Sequence, residues 1–190
     1  MSISAQEAAH RAASDAERVA WVDEADSPLG GVSRLELRQR GLIGRGSYIL
    51  LFNSAGEICV HRRTLSKALY PGYWDVAAGG MVQEGESYAE SAARELAEEL
   101  GVAGVPLIEH AHFFYDAPES RLWCTAFSAV CDEPLRLQPE EVLEARFISI
   151  EAALSEVAHK LYCPDSLLAL QRYLANRPPN RSLKNVASDG

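Results

Sequence analysis

A chain of 190 residues with a hydrophobic fraction of 47% carries enough apolar material for one domain with its own core. Its net charge of −9 excludes the cationic surface that nonspecific nucleic-acid or anionic-membrane binding needs. That global sign still admits a phosphorylated small molecule, because a bound cation or a local cluster of Lys and Arg overrides it.

Taken in chain order, Met1 to about Arg18 is alanine-rich and polar, which reads as a frayed helix or a disordered arm. "RVAWVDEADSPLGGVSR" gives a short strand, a Pro-Gly turn region and a second extended piece. "SRLELRQRG" predicts a short helix ended by Gly41. In "GSYILLFNSAGEICVHRR" two apolar, β-rich runs flank "NSAG", a hairpin signal. Pro71-Gly72 marks a turn, and "WDVAAGG" reads as one strand stopping at paired glycines. "AHFFYD" and "RLWCTAFSAVC" predict antiparallel strands around "APES". "EARFISI" is a strand, "EAALSEVAHKL" a helical pattern and "PDSLLALQRYLAN" the last helix. The polar, Pro-containing residues 177–190 predict a disordered tail after a single domain at 19–176. Irregular interleaving of strands and helices implies an α/β fold, a mixed sheet packed between helices.

The four cysteines, Cys59, Cys124, Cys131 and Cys163, form no C-x-x-C pair or zinc-like cluster, and three sit in apolar runs where a small buried thiol is the simplest role. No apolar run reaches transmembrane length, and "MSISAQEAAHRAASDAERVAW" has no apolar signal core. A cytoplasmic protein with reduced thiols is the expectation.

The most informative stretch is "GGMVQEGESYAESAARELAEELGV", Gly79 to Val102. Ser87 with Glu90 forms a capping box, and Gly101 suits a left-handed helix end, so the helix runs from about Tyr88 to Leu100. On it Glu95 and Glu99 lie roughly 40° apart, with Glu98 about 60° to the other side of Glu95. All three carboxylates share one face. As a plain solvated face this carries a cost: like charges at i,i+3 and i,i+4 destabilise by roughly 0.2–0.5 kcal/mol each, and the C-terminal end of the helix dipole adds to it. Glu90–Arg94 is the obvious compensating pair. A hard divalent cation reverses the sign of these terms, since Mg²⁺ seeks carboxylate oxygens.

The spacing G-x5-E-x7-R-E-U-x-E-E-x-G-U, with U apolar, resembles the Nudix box at every specified position: Gly80, Glu86, Arg94, Glu95, Leu96, Glu98, Glu99, Gly101 and Val102. Chance agreement is on the order of one in 10⁹ positions at average residue usage. From about Trp21 to Asn176 the chain resembles a YfcD-like bacterial Nudix subgroup, and "RRTLSKALYPGYWDVAAGG" is also similar to isopentenyl-diphosphate isomerase, which shares the fold. The resemblance implies an α/β/α sandwich with the box as a loop–helix–loop. It implies Mg²⁺, with Mn²⁺ as a possible substitute, held by Glu95, Glu98, Glu99 and the Gly80 carbonyl, one glutamate serving as base. It makes Arg94 the residue that orients Glu95, pairing with Glu86 as well as Glu90, and leaves Glu86 open between structural and catalytic roles. The implied partner is a small-molecule diphosphate rather than a nucleic-acid polymer or a membrane, in a protein that is a candidate homodimer.

Hydrolysis of a diphosphate needs shielded phosphate oxygens, an activated water and an acceptor for its proton. Many family members take a further acid from outside the box; in "QPEEVLEARF" the order of preference is Glu141, then Glu144 or Glu140. Arg63 and Lys67 fall where the isomerase contacts diphosphate oxygens, a role that suits a guanidinium fork and an ammonium. Tyr73, Trp74, Phe114, Tyr115 and Trp123 are candidates for stacking or for core, and His110 and His112 read as structural. The isomerase uses a Cys-Gly-His element where this chain reads Ala78-Gly79-Gly80. Those side chains transfer no proton at carbon, so isomerisation is disfavoured. A non-catalytic nucleotide-binding regulator is the remaining alternative, and the complete set of box carboxylates argues against it.

Overall fold

The computed structural model describes residues 5–176; the expected disordered tail lies outside them. In chain order the elements are α1 (Ala5–Ala16), β1 (Arg18–Val22), β2 (Pro28–Ser33), α2 (Arg34–Gln39), β3 (Ile43–Phe52), β4 (Ile58–Arg63), β5 (Trp74–Asp75) and β6 (Ala78–Met81). They continue with α3 (Tyr88–Leu100), β7 (Ile108–Ala117), β8 (Ser120–Val130), β9 (Val142–Ile148), α4 (Ile150–Glu156) and α5 (Pro164–Asn176).

The strand β3 organises the sheet. It pairs antiparallel with β1, β4 and β6, and parallel with β8 along Ile43–Phe52 against Arg121–Val130. The sheet extends through β2 on β1, through β7 on β8, and through β5 and β9 on β4. Its "YILLF" run shows no polar alternation because both faces are covered. Tyr48, Leu50 and Phe52 join one core with Ala153 of α4 and Ala169, Leu170 and Tyr173 of α5. Ile49 and Leu51 join the other with Ala92, Leu96 and Leu100 of α3. The molecule is therefore an α/β/α sandwich, and α3 is clamped by its apolar stripe to the face opposite α5.

The "NSAG" hairpin forms, with Gly56 at φ +80° and its N–H donating to the Asn53 carbonyl. "WDVAAGG" is two strands rather than one: β5 pairs with β4 and β6 with β3. Val76 and Ala77 cross between the two partners fully buried, so the run stays apolar while the pairing changes. All four cysteines are buried and free. Among the described residues no helix is long and apolar enough to cross a membrane.

One ionic cluster ties the far end of the sheet to α4. Glu156 accepts two hydrogen bonds from Arg146 of β9, at 2.8 and 2.7 Å, and one from the Tyr162 hydroxyl at 2.9 Å, with Lys160 also at 2.9 Å. Burial pushes its carboxyl up, but the hydrogen bonds from Lys160, Arg146 and Tyr162 outweigh this and hold it at about 2 instead of 4.5. A depressed carboxyl stabilises the fold above its unfolded value and loses that contribution as pH falls. Glu156→Gln is expected to lower stability by about 1 kcal/mol at pH 7 after allowance for solvent screening. In denaturant titrations the gap to the parent protein should shrink steadily below pH 4.5; a pH-independent gap contradicts the assignment.

Candidate active site

The helix α3 begins as its sequence dictates. The Ser87 hydroxyl accepts from the Glu90 N–H at 3.2 Å, and the Ser87 N–H donates to Glu90 at 2.8 Å. Gly101 closes the helix at φ +70°, where a Cβ would also meet Arg136 at 2.6 Å. The cap occupies Glu90, so the anticipated Glu90–Arg94 pair does not form. The guanidinium of Arg94 instead makes two bonds to Glu86, at 2.8 and 3.1 Å, and others to Glu95 at 2.9 Å and Glu98 at 3.2 Å. Glu86 also accepts from the Gln83 N–H at 3.0 Å, which fixes the loop before the helix.

The three glutamates of the shared face sit at different depths. Glu98 is at the rim with its side chain 53% exposed, Glu95 is 7% exposed and Glu99 2%. Glu99 accepts from the Gly79 N–H at 3.2 Å, with Lys67 at 3.8 Å and the ring of His61 at 3.9 Å. The two glycines make this closeness possible. A Cβ on Gly79 would lie 2.1 Å from the Ser47 carbonyl oxygen, and one on Gly80 would lie 2.3 Å from a Glu95 carboxylate oxygen. Between them, the Ser47 and Ser91 hydroxyls join β3 to α3 at 2.9 Å.

Burial, then the neighbouring Glu99 charge, push the Glu95 carboxyl up to about 7, with Arg94 working against both. Burial likewise raises Glu99, and the charges of Lys67 and Arg63 offset part of the shift. Burial and the adjacent Arg63 bring Lys67 down to about 8. Burial drives His61 down to about 4, so it is neutral at pH 7.

The NUDIX domain model matches residues 43–171, two thirds of the chain. The chain belongs to the Nudix family. An uncharacterized Nudix hydrolase of Pseudomonas aeruginosa is 70% identical over 166 residues, covering 87% of this chain and 98% of the relative. The uncharacterized Nudix hydrolase YfcD of Escherichia coli is 36% identical over 172 residues, covering 89% and 94%. In structure, DR0079 from Deinococcus radiodurans superposes with a TM-score of 0.71 at 29% identity, covering 83% of this chain and 99% of that one. The enzyme class is that of the Nudix pyrophosphohydrolases.

Around the Nudix box the fold brings together most of the anticipated residues. Glu95, Glu98, Arg94, Gly80, Lys67 and Glu141 line one cavity of about 250 Å³. Glu99 lies behind that wall. Glu141 is carried in by the loop before β9, its carbonyl accepting from the Thr64 N–H at 3.0 Å, and its carboxylate pairs with Lys67 and with His10 of α1 at 2.8 Å. Glu144 points elsewhere, half exposed and 3.6 Å from Arg62. Glu140 holds its loop through a carbonyl that accepts from the Thr64 hydroxyl at 2.9 Å. Arg63, 3.3 Å from Asp75, lines an adjoining cavity of about 170 Å³ that shares Lys67, Gly79 and Gly80 with the first.

Sequence reasoning missed the contribution of the N-terminal elements. His10, Ser14 and Glu17 from α1 and its end, with Arg34 of α2, line the same cavity as the glutamates. A polar, alanine-rich stretch and one arginine carry no signal for such a role. It also missed His61, whose position becomes evident only when β4 is packed under α3. Of the aromatics, Trp74 lies under Arg146 and Lys160 at 4.6 and 4.8 Å, and Trp123 stacks on His112 at 5.0 Å. His110 and His112 bond the hydroxyls of Ser128 and Thr125 across the β7–β8 pair. Ala78 is buried on β6 and offers no reactive group.

The two glycines should respond differently to a methyl group. Gly79→Ala is expected to cost about 1–3 kcal/mol, because backbone must move. Gly80→Ala should cost less than about 1 kcal/mol, since only the movable end of Glu95 obstructs it. Denaturant midpoints of the two variants check this, and equal losses contradict it.

Proposed function

We propose that this Nudix protein is a Mg²⁺-dependent hydrolase of a diphosphate linkage, in a nucleoside diphosphate derivative or a related compound, with water attacking phosphorus. The carrying observation is the pair of buried carboxylates, Glu95 and Glu99, on one face of α3 against the Gly79-Gly80 backbone.

The donor set suits a hard cation. It is all oxygen, burial and mutual repulsion make charge on its carboxylates costly, and the missing Cβ of Gly80 lets the Glu95 carboxylate lie against the backbone. Among the described residues no three His, Cys, Asp or Glu side chains converge as a ready cage; Glu98 is engaged by Arg94, and Glu141 by Lys67 and His10. Glu95, Glu98, Glu99 and the Gly80 carbonyl would hold Mg²⁺, or Mn²⁺ in its place. When bound, the ion supplies charge neutralisation at phosphate oxygens and a lowered pKa for water.

The chain's own residues supply the rest. Arg94 orients Glu95 while Glu86 holds Arg94. Lys67, with Arg63 beside it, binds phosphate oxygens. Glu141 lines the cavity with Glu95 and Glu98, and is the acceptor for the proton of the attacking water. A small-molecule substrate and a cytoplasmic setting complete the reading; the cavity size supports the first and the four buried, free thiols the second.

Glu99→Gln is expected to lower Mg²⁺-dependent release of phosphate or nucleotide by roughly 100-fold or more while circular dichroism stays unchanged. Full activity in that variant overturns the mechanism. The substrate class is to be read from a panel of nucleotide sugars, dinucleoside polyphosphates, NADH, CDP-alcohols, nucleoside triphosphates and isopentenyl diphosphate. Tight binding without turnover across the panel, with either Mg²⁺ or Mn²⁺, favours a regulator instead.

A further inference from the structure

The segment that lies before the matched span, residues 5–42, forms a wall of both cavities. Five residues line both at once: Ser14, Arg34, Lys67, Gly79 and Gly80. They mark the junction where a molecule reaching from the glutamates into the second cavity must pass. Two of them, Arg34 and Lys67, are cations.

Arg34 is incompletely used. Its Nη1 donates to the Ser14 hydroxyl at 3.1 Å and its Nη2 pairs with Glu17. Its buried Nε has no acceptor among the described residues. A guanidinium presents five N–H donors in a fixed fork, and a buried donor left over is a cost that a ligand oxygen removes. The Arg34 charge also bears on both Glu95 and Lys67, which places it within electrostatic reach of the hydrolytic end. The carboxylate density around it makes any anionic ligand unfavourable unless cations come with it, as a metal ion would with a diphosphate.

We propose that Arg34, at the junction of the two cavities, is a phosphate-binding residue that acts with Lys67 on the diphosphate, so that the α1–α2 segment completes the substrate site. The box carries out the cleavage, and this wall sets which phosphoryl group lies across it. The inference rests on the diphosphate chemistry proposed above. It adds a contact that the box does not supply.

Methylenediphosphonate, whose P–C–P bridge resists hydrolysis, is the probe, titrated calorimetrically into the full chain at fixed Mg²⁺. Arg34→Gln is expected to weaken Kd about tenfold or more, with Arg34→Lys recovering part of the loss. The control is Asp15→Asn, which breaks the 2.5 Å Arg38–Asp15 pair that also docks α1 on α2, yet leaves Arg34 intact. It should stay within twofold of the parent. Arg34→Gln within twofold overturns the proposal. So does Asp15→Asn matching the loss, since α1 docking alone would then account for it, and so does a parent chain that fails to bind the probe. Binding through Arg34 without turnover of any panel compound keeps this inference and removes the hydrolase reading. Turnover with unchanged KM in Arg34→Gln does the reverse.

Discussion

The burial of two carboxylates on successive turns of α3 is the constraint that shapes the rest of the structure. On a solvated helix Glu95 and Glu99 would repel by a few tenths of a kcal/mol. Beneath β6 water no longer screens them, and the same pair becomes expensive. The fold answers with cations of two kinds. Arg94 is held against Glu95 by the two hydrogen bonds it donates to Glu86, and its charged form is strengthened despite burial. Lys67 reaches Glu99 from the β4–β5 connection; burial and Arg63 lower its proton affinity, and the Glu99 charge offsets part of that loss. The N–H of Gly79 gives Glu99 a neutral donor as well.

Holding such a pair in place demands a rigid support, and the sheet supplies it. Because both faces of β3 are covered, neither α3 nor β6 has freedom to separate from it. Leu96 and Leu100 anchor the helix from below, while the Ser47–Ser91 bond and the close passage of Gly79 over the Ser47 carbonyl fix the distance between strand and helix. Each glycine is thus placed by packing against an atom of the site rather than by a turn. Charge on carboxylates buried this way is costly, and a cation beside them would lower that cost, which is the property the proposed metal site draws on.

What the sequence made legible was local. The limits of α3 follow from Ser87 with Glu90 at its start and Gly101 at its end, each a short-range signal, and the spacing of the glutamates needs only the helical repeat. Two local rules also collided there. Glu90 was available both to the cap and to Arg94, and the cap took it, because the backbone N–H groups at a helix start have no other partner. The rest was hidden by distance. Nothing in "WDVAAGG" shows that its strand changes partners midway, since Val76 and Ala77 are apolar on either reading. His61 reads as an ordinary strand residue until β4 lies under α3. The wall made by α1 and α2 was least legible of all, because its contacts join residues far apart in the chain.

That wall is held in an unusual way for a helix. No residue of α1 from Ala8 to Ala16 is buried, so that stretch contributes nothing to the apolar cores. Its attachments are polar: His10 to Glu141, Ser14 to Arg34 and Asp15 to Arg38, with Glu17 just beyond its end bonded to Arg34 and Gln83. Partly exposed ion pairs of this kind contribute little each and weaken with salt. The helix therefore sits at the low-stability end of the molecule while its contacts run directly into the site. The two parts of the cavity differ in kind: a box side fixed by close packing, and an opposite side where Leu37 anchors α2 in an apolar cluster while the contacts of α1 named above are polar. A substrate that brings phosphate and metal charge between them acts on those charges directly. The box side, locked by Leu96, Leu100 and the glycines, keeps its geometry, and any adjustment falls to α1 and the residues it carries.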